Sequence, residues 1–279
     1  MKQGSLHEAL FQVAALILAV IIVHATYITV IRPNAELLQE QQNLLQQTDE
    51  NFVPERSVFI ILRDFEQETC IILMLWAVAI IGLKTQSTLR ERSLLDRTLV
   101  QVSEGMSILP EDSRNYARPV QALPDKEREF LLPRALLAGL HRFQSTQNIQ
   151  DAATTVKDTC ETEADRMETE LTIVRYIAWA IPSIGFLGTV RGIGTALGQA
   201  YQAVSGDIVG VTVSLGVAFN STFVALVVSI FLMFLLHQLQ LLQDRLVLGT
   251  QRYCDERLIQ HLQVPERVPE RVPERVGHV

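Results

Sequence analysis

The sequence predicts an all-α polytopic membrane protein with four transmembrane helices in two hairpins and a helical cytoplasmic domain. Residues 9–31 and 208–243 contain no Asp, Glu, Lys or Arg, and each stretch exceeds the ~20 residues that cross a bilayer. Two further apolar stretches, residues 69–83 and about 176–202, complete the set. Stripes of small residues on the last two spans further predict a ring-forming homo-oligomer, because such stripes let helices pack closely in lipid.

Residues 1–83 are predicted to form the first hairpin, with an outer, periplasmic loop at about residues 32–67. A cleaved signal peptide is the alternative for the first span, because Lys2 precedes it. Its apolar core is long for a signal peptide and no Ala-x-Ala site follows, which favours an uncleaved span. Residues 69–83 are short for a crossing unless flanking side chains snorkel, so a buried amphipathic segment is the alternative there.

Residues 84–170 are predicted to form a cytoplasmic helical region. It contains a connector punctuated by Pro110, Pro119 and Pro124. A long helix then begins near Pro133, and no proline intervenes before Pro182, so we expect it to run unbroken into the third span.

Residues 171–237 form the second predicted hairpin, with its turn at Ser205-Gly206-Asp207. Residues 238–263 are expected to continue as a cytoplasmic helix. Residues 264–279 repeat the unit VPER with a proline at every fourth position, which forbids a helix and predicts a disordered tail.

Lys and Arg determine the predicted orientation, because they accumulate on the cytoplasmic side of membrane spans. Lys84, Arg90 and Arg92 follow the second span and Arg245 follows the fourth, whereas residues 198–210 contain no basic residue. Both termini are therefore expected on the inner side of a bacterial inner membrane. The net charge of −7 argues against a nucleic-acid partner.

The segment 181–200, IPSIGFLGTVRGIGTALGQA, raises the question of a phosphate-binding loop. It matches neither G-x-x-x-x-G-K-[ST] nor G-x-G-x-x-G, which excludes both nucleotide motifs. On a helix its glycines instead form one face, and the fourth span carries a matching face of small residues. The predicted helix-packing stripe consists of Gly185, Gly188, Gly192, Ala218 and Ala225. We expect it to line the middle of an oligomer, with tight packing within one subunit as the alternative.

Thr189 and Thr222 lie at similar sequence distances from the predicted turn, so their hydroxyls are expected at nearly the same depth. Together they could form a polar ring in an oligomer. The alternative is that each hydroxyl bonds to the carbonyl four residues earlier in its own helix.

Two other residues break the apolar pattern of the third span. Pro182 removes a backbone hydrogen bond and is predicted to kink the helix near its inner end. Arg191 is expected toward the outer side, where it would snorkel or face an aqueous vestibule.

The predicted spans contain no Asp or Glu, so any carboxylate that carries an ion across the membrane would have to come from another chain. Neither a catalytic triad, a metal-ligand spacing nor a pair of carboxylates stands out, which favours a protein that is not an enzyme. Three cysteines give no disulfide framework.

The motifs IPSIGFLGTVRGIG and LGVAFNSTFVALVVSI resemble the paired signature of the MotA/TolQ/ExbB proton-channel family. The resemblance covers residues 181–237, and the order of the hairpins is similar to the four-span flagellar-stator branch. It implies a homopentamer around a single-span partner of the MotB/TolR/ExbD type that brings a membrane aspartate. It also implies an ion path lined by Thr189 and Thr222, with the neighbouring Asn220 and Ser221 assigned to the same path.

The sequence departs from the TolQ/ExbB pattern at Val217, where those proteins carry glutamate. The resemblance implies no cofactor and transport of H⁺, with Na⁺ as an alternative. The leading hypothesis is a stator-like subunit that converts ion-motive force into mechanical work. A non-conducting tetraspan scaffold that recruits cytoplasmic proteins is the alternative, and the process driven is open among flagellar torque, envelope energisation, gliding and defence.

Overall fold

The computed structural model describes residues 2–48, 57–102, 106–206 and 208–264. Within these ranges the chain is all-helical, and its only β-type pairing is an isolated bridge between Ile108 and Leu262. Asp207 of the predicted turn and residues 265–279 of the predicted tail lie outside the described residues. The α-helices are α1 (Lys2–Thr26), α2 (Arg32–Thr48), α3 (Val58–Leu62), α4 (Phe65–Arg92), α5 (Ser113–Gln121), α6 (Asp125–Arg128), α7 (Leu131–Thr146), α8 (Ile149–Glu170), α9 (Thr172–Gly198), α10 (Ala200–Val204) and α11 (Val209–Arg257).

Four helical segments of the described chain are long and apolar enough to cross a membrane. They begin in α1, α4, α8 and α11, and a π-helical turn, Tyr27–Ile31, joins α1 to α2. The second segment includes residues 69–83 in a helix of 28 residues, α4, which is long enough to cross a bilayer. The segments are Ala9–Gln42, Phe65–Arg92, Ile149–Gly198 and Val209–His261.

The chain divides into two compact units. The first unit, Met1–Gln86 with Glu168–Leu242, contains the apolar parts of α1, α4, α9 and α11. Its core is built by α4, α9 and α11, with Ile80, Ile177 and Leu232 almost fully buried. Large apolar side chains remain exposed on its surface, as expected for helices whose outer faces contact lipid.

The second unit, Ser87–Met167 with Gln243–Val279, has its own core centred on α7. Leu136, Leu140 and Phe143 of this helix are fully buried. The backbone N–H of Leu131 at the start of α7 donates to a carboxylate oxygen of Glu91 over 3.2 Å, which satisfies one of the free N–H groups of the first turn.

The expected unbroken helix from Pro133 into the third span is wrong. Pro133 does lie in the first turn of α7, but that helix ends at Thr146 because Gln147 adopts a left-handed conformation with φ of 51°. The Asn148 side chain then accepts hydrogen bonds from the backbone N–H groups of Gln150 and Asp151 at 2.8 and 3.4 Å, and so caps α8. A second interruption at Leu171 separates α8 from α9.

The proline-punctuated connector is also more ordered than predicted. Its residues include a 3₁₀ turn at Pro110–Asp112 and the helix α5, which contains Pro119. Ala117 and Val120 of α5 are buried in the core of the second unit. Tertiary burial therefore overrides the local preference of proline for an extended connection.

Candidate functional site

Helices α9 and α11 approach each other closely through small residues. A Cβ atom built on Gly185 would lie 2.4 Å from the Cβ atom of Ala225 and 3.2 Å from the backbone oxygen of Ser221. A Cβ atom on Gly188 would lie 2.5 Å from the Cβ atom of Ser221. These distances are shorter than any ordinary carbon–carbon contact, so a larger residue at either glycine would force the helices apart.

Gly192 repeats the contact one turn farther along α9. A Cβ atom there would lie 2.6 Å from the Cβ atom of Ala218. The predicted stripe of small residues on α9 therefore packs against small residues of α11 within one chain. Tight packing within one subunit was the alternative to lining the middle of an oligomer. The exposed faces of the two helices carry large side chains instead, including Phe186, Leu187 and Phe223.

The structure brings the hydroxyl groups of Thr189 and Thr222 into direct hydrogen-bond contact. The Thr189 hydroxyl also lies 3.1 Å from the carbonyl oxygen of Ala218 on α11 and 3.4 Å from that of Gly185 on α9. The Thr222 hydroxyl lies 3.1 Å from the same carbonyl oxygen of Gly185. Both side chains are half-buried. Each hydroxyl contacts a carbonyl oxygen of the opposite helix.

The hydroxyl protons of this pair cannot serve every acceptor at once. Each threonine has one O–H donor, whereas the two carbonyl oxygens and the two hydroxyl oxygens all accept. If Thr189 donates to the Thr222 hydroxyl and Thr222 donates to the Gly185 carbonyl, both donors are satisfied and lone pairs remain free on both hydroxyl oxygens. Those lone pairs are the polar feature that this level of the helix pair offers to a cation or a proton donor.

Asn220 and Ser221, the other predicted lining residues, lie elsewhere on α11. The Ser221 side chain is buried against Gly188, and its hydroxyl donates to the carbonyl of Val217 over 3.0 Å. Asn220 is half-buried and lies about 200° around the helix from Thr222. The structure therefore does not bring either side chain into the threonine contact.

Pro182 lies inside α9, which continues as a helix on both sides of it. Proline lacks the N–H group that would bond to the carbonyl four residues earlier, which is that of Ala178. The buried hydroxyl of Ser229 on α11 donates to this carbonyl over 3.2 Å. The acceptor that Pro182 leaves free is thus satisfied by the neighbouring helix, a contact that the sequence analysis did not predict.

Arg191 has a partner that the sequence analysis did not foresee. Its guanidinium group donates two hydrogen bonds to the carboxylate of Glu66, Nε to Oε1 at 2.7 Å and Nη2 to Oε2 at 2.8 Å. An oxygen of Asp64 lies 3.9 Å from the same Nη2 atom. Burial raises the pKa of the Asp64 carboxyl, against the lowering effect of Arg63 and Arg191. The bidentate geometry makes the Arg191–Glu66 contact a strong, oriented ion pair.

Glu68, one half-turn beyond Glu66, makes a second ionic contact. One of its carboxylate oxygens lies 2.6 Å from Nδ1 of His24, and the other accepts from Nη2 of Arg32 at 2.6 Å. Residues 69–83 themselves contain no carboxylate, but the helix that includes them carries two just before this stretch. Because α4 begins at Phe65, Glu66 and Glu68 both belong to its first turn.

A sequence signal for these contacts exists, although it is weak. The segment FEQE directly precedes the apolar stretch 69–83, which is itself too short to cross a membrane. Extending the span to its full length would have brought both glutamates into it. The opposite charges of Arg32, at the outer end of the first predicted span, and of Arg191, toward the outer side of the third, would then have suggested partners.

Comparison with known protein families agrees with the motifs and the geometry. Residues 127–252, just under half of the chain, match the model of the MotA/TolQ/ExbB proton channel family. The matched segment includes α9, the hairpin turn and most of α11, and so contains both threonines and all the small-residue contacts. No curated protein and no solved structure matches the chain. The four apolar helices and the family match indicate a multi-pass membrane protein. The resemblance to the MotA/TolQ/ExbB proton channel family inferred from the paired motifs is confirmed, because both motifs lie within the matched residues 127–252.

Proposed function

We propose that the protein is the channel-forming subunit of an ion-driven motor in the bacterial inner membrane. It would convert ion-motive force, most simply a proton gradient, into mechanical work together with a single-span partner that carries a membrane aspartate. The observation that supports this most strongly is the contact between Thr189 and Thr222 within the family-matched segment. Two hydroxyls at one level, on opposite helices of the hairpin, offer oxygen ligands to an ion or a protonated carboxyl group.

The charges of this chain support a carboxylate supplied by a partner. Glu66 and Glu68 are the acidic residues nearest the threonine level on α4, and both are already paired with cations. Because both carboxylates already bind cationic side chains of this chain, neither is free to bind a transported ion. We therefore expect the titrating group to belong to the partner, as the family resemblance implies, and the assembly to be a homopentamer around it.

The partner can be identified by purifying the full chain from its native membrane and determining which single-span protein accompanies it. The complex is then reconstituted into liposomes, and ion flux is followed with a pH-sensitive dye under a proton gradient and again under a sodium gradient. The comparison of the two gradients decides which ion is carried. We expect flux in the complete complex and none with the partner's aspartate replaced by asparagine.

The threonine assignment is tested with Thr189→Val and Thr222→Val. Each substitution keeps the shape of the side chain and removes its hydroxyl, so we expect flux to fall about tenfold or more, the size of effect that a lost ligand or hydrogen bond produces. Thr195→Val on α9 and Thr212→Val on α11 are matched controls. Both control threonines are exposed and donate only to the carbonyl four residues earlier, at 3.0 and 2.9 Å. Unchanged flux in both test variants would contradict the proposal and favour the non-conducting scaffold.

A further inference from the structure

Glu66 lies next to the threonine level. A Cβ atom built on Gly188 would lie 3.2 Å from Cγ of Glu66 and 2.5 Å from Cβ of Ser221. Gly188 and Ser221 are the sequence neighbours of Thr189 and Thr222. The Glu66 side chain therefore packs against the point where α9 and α11 meet, one residue away from each threonine.

Arg191 places a permanent positive charge at almost the same level. It follows Thr189 by two positions, which corresponds to a rise of about 3 Å along the helix. Its side chain is 53% exposed, whereas that of Glu66 is only 12% exposed. Without Glu66, an uncompensated guanidinium group would lie at nearly the depth of the threonine pair, although about 200° around α9 from Thr189, and its charge would oppose the approach of a cation to that level.

We propose that Glu66 is a positioning residue that neutralises Arg191 and fixes its orientation, so that the threonine level stays accessible to cations. This proposal rests on the proposed function, because it assigns the electrostatic environment of the same site. Arg191 and Glu66 then form one neutral unit that joins α4 to α9. The residues that the family resemblance assigns to the ion path are uncharged and cannot compensate Arg191.

Glu68 cannot take over the role of Glu66. Residues two positions apart on a helix point about 200° away from each other, so the two glutamates of α4 face different neighbours. Glu68 accepts from Arg32 and contacts His24, each over 2.6 Å, and its carboxylate is thereby fully engaged. Asp64 is the other acidic group near Arg191, but its oxygen lies 3.9 Å away and within 3.8 Å of Arg63.

The local charge can be measured without any ion flux. Thr195 is exposed one turn along α9 from Arg191, and its hydroxyl donates to the Arg191 carbonyl over 3.0 Å. In a Thr195→Cys reporter chain, the rates of modification by an anionic and a cationic methanethiosulfonate reagent of similar size report the local potential. Cys70, Cys160 and Cys254 are buried, so the chain without the reporter serves as the blank.

We expect Glu66→Gln to raise the ratio of anionic to cationic reaction rates about fivefold or more, because the charge of Arg191 is then uncompensated. Arg191→Gln should lower the ratio, and the double variant Glu66→Gln/Arg191→Gln should return it to within about twofold of the parent reporter. Glu36→Gln removes an equal charge from an exposed position on α2 and should leave the ratio unchanged. A ratio that Glu66→Gln does not alter in monodisperse, detergent-solubilised protein would overturn the proposal whether or not the protein conducts.

The flux assay adds the functional consequence. In the reconstituted complex we expect Glu66→Gln to reduce cation flux about tenfold, and the double variant Glu66→Gln/Arg191→Gln to restore most of it. A purely structural role predicts instead that the double variant is at least as impaired as the single ones. If the unsubstituted complex carries no flux while the reporter ratios change as expected, the proposed function fails and the charge balance stands. If the complex conducts but neither readout responds to Glu66→Gln, the charge-balance proposal alone is rejected.

Discussion

Two contacts within the first unit join the same helix, α9, to different neighbours by opposite physical means. Toward α11 it presents glycines, and a Cβ atom built on Gly185 would come within 2.4 Å of Ala225. Toward α4 it presents Arg191, which binds the Glu66 carboxylate through two hydrogen bonds of 2.7 and 2.8 Å. One contact depends on the absence of side chains and the other on a pair of charged ones.

The difference shows how the two contacts are stabilised in an apolar environment. In lipid there is no hydrophobic drive to bring helices together, so close packing of small residues supplies dispersion contacts instead. An ion pair in the same environment is costly unless both charges are compensated and hydrogen-bonded. We therefore expect the glycine contact to respond to volume and the ionic contact to respond to charge.

The largest effect is expected at the glycine contact. Gly185→Leu would place a whole side chain where even a Cβ atom meets Ala225 at 2.4 Å and the Ser221 backbone at 3.2 Å, and backbone cannot move aside cheaply. We expect a loss of about 3 kcal/mol or more, or a failure to fold.

Gly194 on the same helix is the matched control, because a Cβ atom there meets nothing within 4 Å. Gly194→Ala should be neutral or stabilise the helix by up to about 1 kcal/mol, whereas Gly185→Ala should destabilise the protein. Thermal midpoints of the purified chain in detergent measure both changes. Equal effects of alanine at the two positions would show that the close approach of α9 and α11 is not required.

The second largest effect is expected at the ionic contacts of α4. Glu68→Gln removes the charge that compensates Arg32 and that contacts His24, while keeping the shape of the side chain. Because Arg32 and His24 are about one-third and one-half exposed, water screens part of the loss, and we expect about 1–2 kcal/mol.

Glu40→Gln is the control for Glu68→Gln, since Glu40 is exposed on α2. The same thermal measurement should show a change within about 0.5 kcal/mol for the control. A Glu68→Gln chain as stable as the control chain would mean that the contacts of Glu68 with Arg32 and His24 do not hold α4 in place.

A smaller effect is expected where α11 completes the hydrogen bonding of α9. Ser229→Ala removes the hydroxyl that donates to the Ala178 carbonyl, the acceptor that Pro182 leaves free. Leaving this buried acceptor unsatisfied should cost about 1 kcal/mol in thermal unfolding. Ser183→Ala, at a half-buried serine that donates to the Trp179 carbonyl of its own helix over 3.1 Å, should change stability much less. A combined Pro182→Ala/Ser229→Ala chain regains the backbone donor and should recover most of the loss.

The sequence allowed the glycine contact to be predicted but not the ionic one, for a physical reason. Gly185, Gly188 and Gly192 repeat with the helical period, so a single segment is enough to reveal the packing face. Arg191 and Glu66 are 125 positions apart and lie on different helices, and no periodicity connects them. The similar depth of Thr189 and Thr222 was predictable, because both lie at similar sequence distances from the same predicted turn. Their cross-helix hydrogen bonds were not, because these depend on how closely the glycines let α9 and α11 approach.

The fold shows the same division between local and distant causes. The four apolar helices follow from composition, since each contains a stretch of low charge. The break at Gln147 and the helical form of the segment at Pro119 were not predicted: the break depends on a left-handed residue followed by the Asn148 cap, and the helix depends on burial of Ala117 and Val120 in the core of the second unit. Local patterns therefore identified the apolar helices but not these two features.

The most direct test of the account is the ion flux of the reconstituted complex with Thr189→Val, Thr222→Val and both together. Since the two hydroxyls contact each other, they should act as one polar site, and residues that act as a unit show strongly non-additive effects. The account predicts that the double variant conducts no less than the more impaired single variant, at about one-tenth of normal flux or below. Losses that multiply in the double variant, or flux equal to that of the Thr195→Val/Thr212→Val control, would contradict it.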